Sequence, residues 1–125
     1  FEAQYFYVGI KRDNAMPNYN AWGAYSNVRY LLNGQGYTYT KADAGIATPD
    51  PGSLELVAAY NYSTLTDKDA NIFGGKVNDW SLTFNYYLNK YMIWRVRGSI
   101  TRATDNAAFN NNTFSILETR LQIKF

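Results

Sequence analysis

The sequence predicts an all-β chain, about six strands of an antiparallel, up-and-down transmembrane β-barrel. Three observations carry this prediction. The first is the stretch Thr113 to Phe125. Leu117, Thr119, Leu121, Ile123 and Phe125 fall on one side, and Glu118, Arg120, Gln122 and Lys124 on the other. A period of two puts such sets on opposite faces of a strand. The stretch exceeds the roughly five or six residues of an ordinary strand. It suits a tilted strand crossing a bilayer, which needs about nine to eleven. The second is aromatic content: 12 Tyr and 3 Trp among 125 residues, both types that collect at membrane–water boundaries. The third is a mean hydropathy of −0.40. No apolar run approaches the roughly 20 residues of a helical span. A barrel fits this value because half of each strand faces a polar interior.

Composition narrows the chemistry. With no Cys and no His, the chain has no disulfide framework and lacks the commonest general base and zinc ligand. No metal site and no cofactor are expected. A net charge of +2 without a basic run gives no reason to expect a nucleic-acid partner. No secretory signal opens the chain. Phe1 to Tyr5 already reads as strand, so the chain is expected to begin in mid-fold.

The first strand is expected over Phe1 to Lys11, but its faces are ambiguous: Phe6, Val8 and Ile10 oppose Ala3, Tyr5 and Tyr7. Arg12 to Asn20, with Pro17 and several asparagines, reads as a turn. Ala21 to Leu32 is the second strand, with Trp22, Ala24, Val28, Tyr30 and Leu32 as its apolar set and Tyr25, Asn27 and Arg29 opposite. Asn33 to Gly52 is rich in Gly and Pro and longer than most connections, so it is either functional or partly structured. Within it, Tyr37 to Thr40 is able to pair briefly.

Ser53 to Ser63 is the third strand, alternating Leu54, Leu56, Ala58, Tyr60 and Tyr62 against Glu55, Val57, Ala59 and Asn61. A polar loop, Leu65 to Asn78, follows, with Gly74-Gly75 read as a turn. The fourth strand, Asp79 to Leu88, sets Trp80, Leu82, Phe84, Tyr86 and Leu88 against Ser81, Thr83, Asn85 and Tyr87. A tight turn at Asn89-Lys90 makes a hairpin with the fifth strand, Tyr91 to Arg102. There Met92, Trp94, Val96, Gly98 and Ile100 oppose Ile93, Arg95, Arg97, Ser99 and Thr101. The loop Ala103 to Asn112 leads to the closing strand.

One face of these strands is thus apolar with Trp22, Trp80 and Trp94 near its ends, where they are expected to sit at the membrane interface. The other carries Arg29, Arg95, Arg97, Arg120 and Lys124. Rings of Arg and Lys line anion pores, so these five are the candidate anion path. The plainer alternative has them solvating the wall and pairing with Glu55 and Glu118. Those two carboxylates also suggest a glycosidase pair, but carboxylates on barrel walls beside arginines are far more often ion-paired, so no enzyme is expected.

The final strand and its terminal Phe resemble the closing strand of bacterial outer-membrane barrels. The resemblance implies that Leu117, Leu121, Ile123 and Phe125 form the signal read by the barrel assembly machinery. A second resemblance covers most of the chain from Ala21 onward. Leu32-Asn33-Gly34-Gln35, then a Gly/Pro-rich stretch, then Gly52-Ser53-Leu54-Glu55-Leu56 resembles the phosphate-selective porin O/P family. So do Gly74-Gly75-Lys76, Leu82 to Asn89 and Arg120 to Phe125. Ala59 and Gln35 depart from the usual arginine and acidic residue of that pattern. The flavour is similar to Bacteroidota members.

The resemblance implies a sixteen-stranded, trimeric porin of the Gram-negative outer membrane, passing small anions such as phosphate. Six strands do not close a membrane barrel, for which about eight is the minimum. Residues 1–125 are therefore expected to be the C-terminal part of one larger barrel domain, with lipid, small anions and sister subunits as partners. A non-conducting barrel within an outer-membrane complex is the alternative. A soluble β-sandwich, in which a second sheet covers the apolar face, is the third reading.

Overall fold

The computed structural model describes residues 1–13, 16–41, 45–106 and 111–124. Six long strands form one antiparallel sheet: β1 (Glu2–Ile10), β2 (Tyr19–Leu31), β5 (Leu54–Asp67), β6 (Ile72–Asn89), β7 (Met92–Asn106) and β8 (Asn112–Ile123), hydrogen-bonded in that order. A separate two-stranded ribbon, β3 (Tyr39–Thr40) with β4 (Gly45–Ile46), lies in the β2–β5 connection. The Tyr37–Thr40 stretch therefore pairs at its second half. The outer edges, β1 and β8, pair with no further strand among the described residues, so the sheet is open.

The strand count and order match expectation, but several loops are shorter than predicted. The loop expected over Leu65 to Asn78 shrinks to Lys68–Asn71 between β5 and β6. The Asp67 carboxylate accepts the N–H groups of Asp69 and Ala70, and Asn71 takes φ 55°, so side-chain capping makes the turn. Gly74-Gly75 is not a turn; it lies inside β6. The register shifts between Thr64 and Thr66, and a Cβ on Gly74 would lie 2.6 Å from the Leu65 carbonyl oxygen. Glycine is needed there for close approach of two strands at a bulge. Likewise β7 runs to Asn106 and β8 starts at Asn112, so most of the expected Ala103–Asn112 loop is strand or lies outside the described residues. The β6–β7 turn sits at Lys90-Tyr91, with the Asn89 side-chain oxygen accepting the Tyr91 N–H at 2.8 Å.

Register resolves the ambiguous first strand. Ala3, Tyr5 and Tyr7 pair with Ser26, Ala24 and Trp22, so these tyrosines join the apolar face. Phe6, Val8 and Ile10 lie on the opposite face with Tyr25, which contacts Phe6 at 6.0 Å between ring centroids.

The packing is inverted relative to a soluble domain. Among the described residues substantial contacts run only between strand neighbours, and no second layer of them covers the apolar face. Trp80, Leu82, Ile100 and Leu117 are more than half exposed, while Glu55, Asn85 and Ser99 are buried. This exposure pattern is the reverse of what the sandwich reading expects of its apolar face. Along β6, Trp80 to Leu88 rises about 27 Å at roughly 3.4 Å per residue. A tilt of about 40° leaves about 21 Å of height, near the roughly 25 Å apolar band of a membrane barrel.

Candidate functional site

Register assembles the polar face row by row. Leu31, Glu55, Asn85, Arg95 and Arg120 stand side by side on five successive strands of the sheet. The next row holds Arg29, Val57, Thr83, Arg97 and Glu118. All of these except Leu31 line a cleft of about 390 Å³ that also includes Asn61 and Tyr87. Four of the five expected cations, Arg29, Arg95, Arg97 and Arg120, thus come together. Lys124 follows the end of β8, exposed, with its N–H bonded to the Tyr91 carbonyl at 2.8 Å; it does not line the cleft.

The arginines are not equivalent. Arg97 is clamped between Asp79 at 3.4 Å and Glu118 at 3.9 Å. Asp79 is itself fixed by Thr101 Oγ1 at 2.6 Å and Asn61 Nδ2 at 3.1 Å. Arg29 meets Glu2 at 3.9 Å with both side chains well solvated, so that pair contributes little. Arg95 and Arg120 are direct cross-strand partners. Arg95 donates from Nε to Asn85 Oδ1 at 2.7 Å. Among the described residues neither forms an ion pair.

Of the ion pairs in the plainer alternative, Glu118 meets Arg97 at 3.9 Å, whereas Glu55 forms none among the described residues. It is 2% exposed and accepts three hydrogen bonds: from Tyr37 Oη at 2.8 Å, Asn85 Nδ2 at 2.6 Å and Tyr87 Oη at 2.9 Å. Three donors on a buried carboxylate offset its lost hydration. A hydrogen-bonded chain therefore runs Tyr37–Glu55–Asn85–Arg95. Tyr37 belongs to the β2–β5 connection, so this loop reaches onto the polar face. Burial, followed by the Glu55 carboxylate, pushes the Tyr37 phenol up to about 12.

Sequence reading missed Asp79, Glu2, Tyr37 and Asn85. Asp79 opens the expected fourth strand and shares the parity of Ser81 and Thr83, so carrying the polar face through to the strand's first residue would have found it. Glu2 needed the β1 register. Tyr37 gives no local signal, because its partner lies across a loop.

On the apolar face, Trp22 stacks near Tyr62 (4.8 Å) and Tyr60 near Trp80 (4.3 Å). Trp94 lies toward the β6–β7 turn and donates from Nε1 to Thr119 Oγ1 at 2.9 Å. The three tryptophans therefore stand toward opposite ends of the apolar band. Leu117, Leu121 and Ile123 line the same face of β8, at least half exposed. Phe125 lies outside the described residues.

Comparison with protein families finds that the model of phosphate-selective porin O and P matches residues 1–125, the whole chain. No curated protein and no solved structure matches.

Proposed function

Because the chain belongs to the phosphate-selective porin O and P family, whose members are outer-membrane porins, we propose that it is the C-terminal wall of a larger outer-membrane barrel through which small, phosphate-like anions diffuse passively. The apolar face meets lipid, and the polar face lines the lumen. An open sheet in hydrocarbon would leave two rows of unpaired backbone groups, each costing several kcal/mol. Further strands therefore continue from β1 and β8, sixteen in all if the barrel follows the family resemblance, and the complete barrel assembles as a trimer or larger complex.

The observation that carries the reading is the Arg95–Arg120 pair. Like charges directly opposite on a sheet destabilise it, and among the described residues no carboxylate forms an ion pair with either. Two planar forks facing one lumen suit a tetrahedral oxyanion, and water exchange in an open lumen keeps such binding weak enough for passage. Arg29, Arg97 and Lys124 contribute to the field along the same path. Trp22, Trp80 and Trp94 anchor the two interfaces. Leu117, Leu121, Ile123 and Phe125 present the signal for the assembly machinery.

The test is reconstitution of the complete protein in planar bilayers with a salt gradient across the membrane. The expected reversal potential reports anion preference, reduced by Arg95→Gln together with Arg120→Gln. Cation preference, or selectivity untouched by the double substitution, overturns the proposal. A second reading, a non-conducting structural barrel, is favoured by Phe6, Val8 and Ile10, which bring an apolar patch to the lumen face. Absence of conductance would establish it.

A further inference from the structure

The apolar face carries a feature that solute passage does not use. Val28, Ala58, Leu82, Gly98 and Leu117 form one row across five strands. The small residues Ala58 and Gly98 open a groove of about 640 Å³, walled by Tyr60, Trp80 and Ile100. A Cβ on Gly98 would meet nothing within 4 Å, so the groove at that point is empty space.

The groove continues upward into a second recess of about 590 Å³, which shares Trp80 and Ile100 and is otherwise lined by Asn78, Arg102, Thr104 and Thr113. Here the face turns polar. Arg102 shares a row with Asn78 and Thr113, so it stands on the lipid side of the sheet, away from the arginines of the lumen. The nearby Lys76 is neutralised by Asp105 at 2.6 Å. Arg102 has neither ion pair nor hydrogen bond among the described residues. An unpaired guanidinium on the lipid side needs an anion or water.

We propose that this continuous groove holds one phosphate-bearing acyl lipid, its chain along Gly98 and Ala58 and its phosphate on Arg102. The two ends match that chemistry. Arg recognises phosphate through two parallel N–H donors, and Asn78, Thr104 and Thr113 add polar partners around it. From Gly98 to Arg102 the strand rises about 13 Å at roughly 3.3 Å per residue, a distance that a long acyl chain covers. A second copy of the barrel would fill the groove but leave Arg102 without an anion, so lipid accounts for both halves. The inference rests on the apolar face meeting lipid, and not on anion conduction.

The test uses the complete protein in detergent, titrated with dipalmitoyl phosphatidic acid and followed by native mass spectrometry. Dipalmitoyl glycerol, which lacks the phosphate, and inorganic phosphate alone are the comparison probes. Arg102→Gln removes the charge; Gly98→Leu fills the groove at a position with room for a side chain. Either substitution is expected to weaken phosphatidic acid binding roughly tenfold, the scale of one charge-assisted contact. Dipalmitoyl glycerol binds correspondingly more weakly to the unaltered protein. Bilayer conductance of both variants stays unchanged, which separates this site from the lumen. Undiminished binding by Arg102→Gln, or equal binding of the glyceride, overturns the proposal. So does displacement of the lipid by inorganic phosphate at the same concentration, which marks a free-anion site. Loss of oligomer on Gly98→Leu without change in lipid binding assigns the groove to a second copy instead.

Discussion

Replacing Glu55 by Ala tests the polar face as a built structure rather than a set of solvated side chains. The substitution removes an acceptor shared by Tyr37, Asn85 and Tyr87. Asn85 is 3% exposed and Tyr87 7%, so both donors lose their acceptor while still largely shielded from water. A buried polar group left unpaired costs about 1–3 kcal/mol. Two such groups give about 2–6 kcal/mol, and Tyr37, which is able to turn toward solvent, adds about 0–1 kcal/mol. A central expectation is about 4 kcal/mol. The measurement is reversible urea unfolding of the complete protein in detergent, comparing wild type, Glu55→Ala, Tyr37→Phe and the double variant. Because Tyr37→Phe deletes one donor of the same carboxylate, the two losses must be less than additive. A Glu55→Ala loss below about 1 kcal/mol, within the range of ordinary surface substitutions and their scatter, would refute the reasoning. Full additivity would refute the Tyr37–Glu55 contact.

The polar-face arginines, if they form the proposed anion path, are expected to rank by their partners. Arg120→Gln should shift the reversal potential more than Arg97→Gln, since Asp79 and Glu118 already hold Arg97; the reverse order counts against the Arg95–Arg120 pair as the anion contact. Gly74→Ala is expected to cost about 1–3 kcal/mol through overpacking on Leu65, whereas Gly98→Ala, with nothing within 4 Å of the new Cβ, is neutral or slightly stabilising; urea midpoints of both variants check this. The Tyr37 tether should be insensitive to pH up to the ordinary tyrosine range near 10. A phenol raised to about 12 contributes stability fully below the unfolded value and loses it as pH rises through about 12. Phenolate absorbance of wild type minus Tyr37→Phe reads that titration directly, and a difference transition at or below the ordinary value removes the hydrogen bond from the account.

Much of this architecture was legible because strand faces are written in a period of two. Leu82/Thr83, Val96/Arg97 and Leu121/Arg120 assign their faces without any tertiary knowledge. Exposed Trp80 and buried Glu55 then follow from which solvent each face meets. Strand ends were less legible, since Thr66, Lys76 and Thr104 are polar on a face that had been apolar. Beyond the apolar band the outward side meets water, and hydropathy stops marking the strand although pairing continues. The β1 faces were ambiguous because Tyr7 and Phe6 suit lipid and lumen wall almost equally; only the partners Trp22 and Gly23 decide between them. The site was half legible. Arg95, Arg97 and Arg120 stood out by parity, but which of them is free depends on Asp79, and the fate of Glu55 depends on Tyr37 eighteen positions away.

Asn33 makes the entry and exit of the β2–β5 connection one unit. Its side chain accepts the Leu54 N–H at 2.6 Å and donates to the Gly52 carbonyl at 3.2 Å, and the Gly52 N–H reaches the Tyr87 carbonyl at 2.6 Å. The stagger of the flanking strands is thus fixed at the foot of the excursion, whatever its length. Foreign peptide inserted between Ala47 and Asp50 would leave this clasp and Tyr37 in place and the sheet in register, giving a site at one end of the sheet to mount a tag.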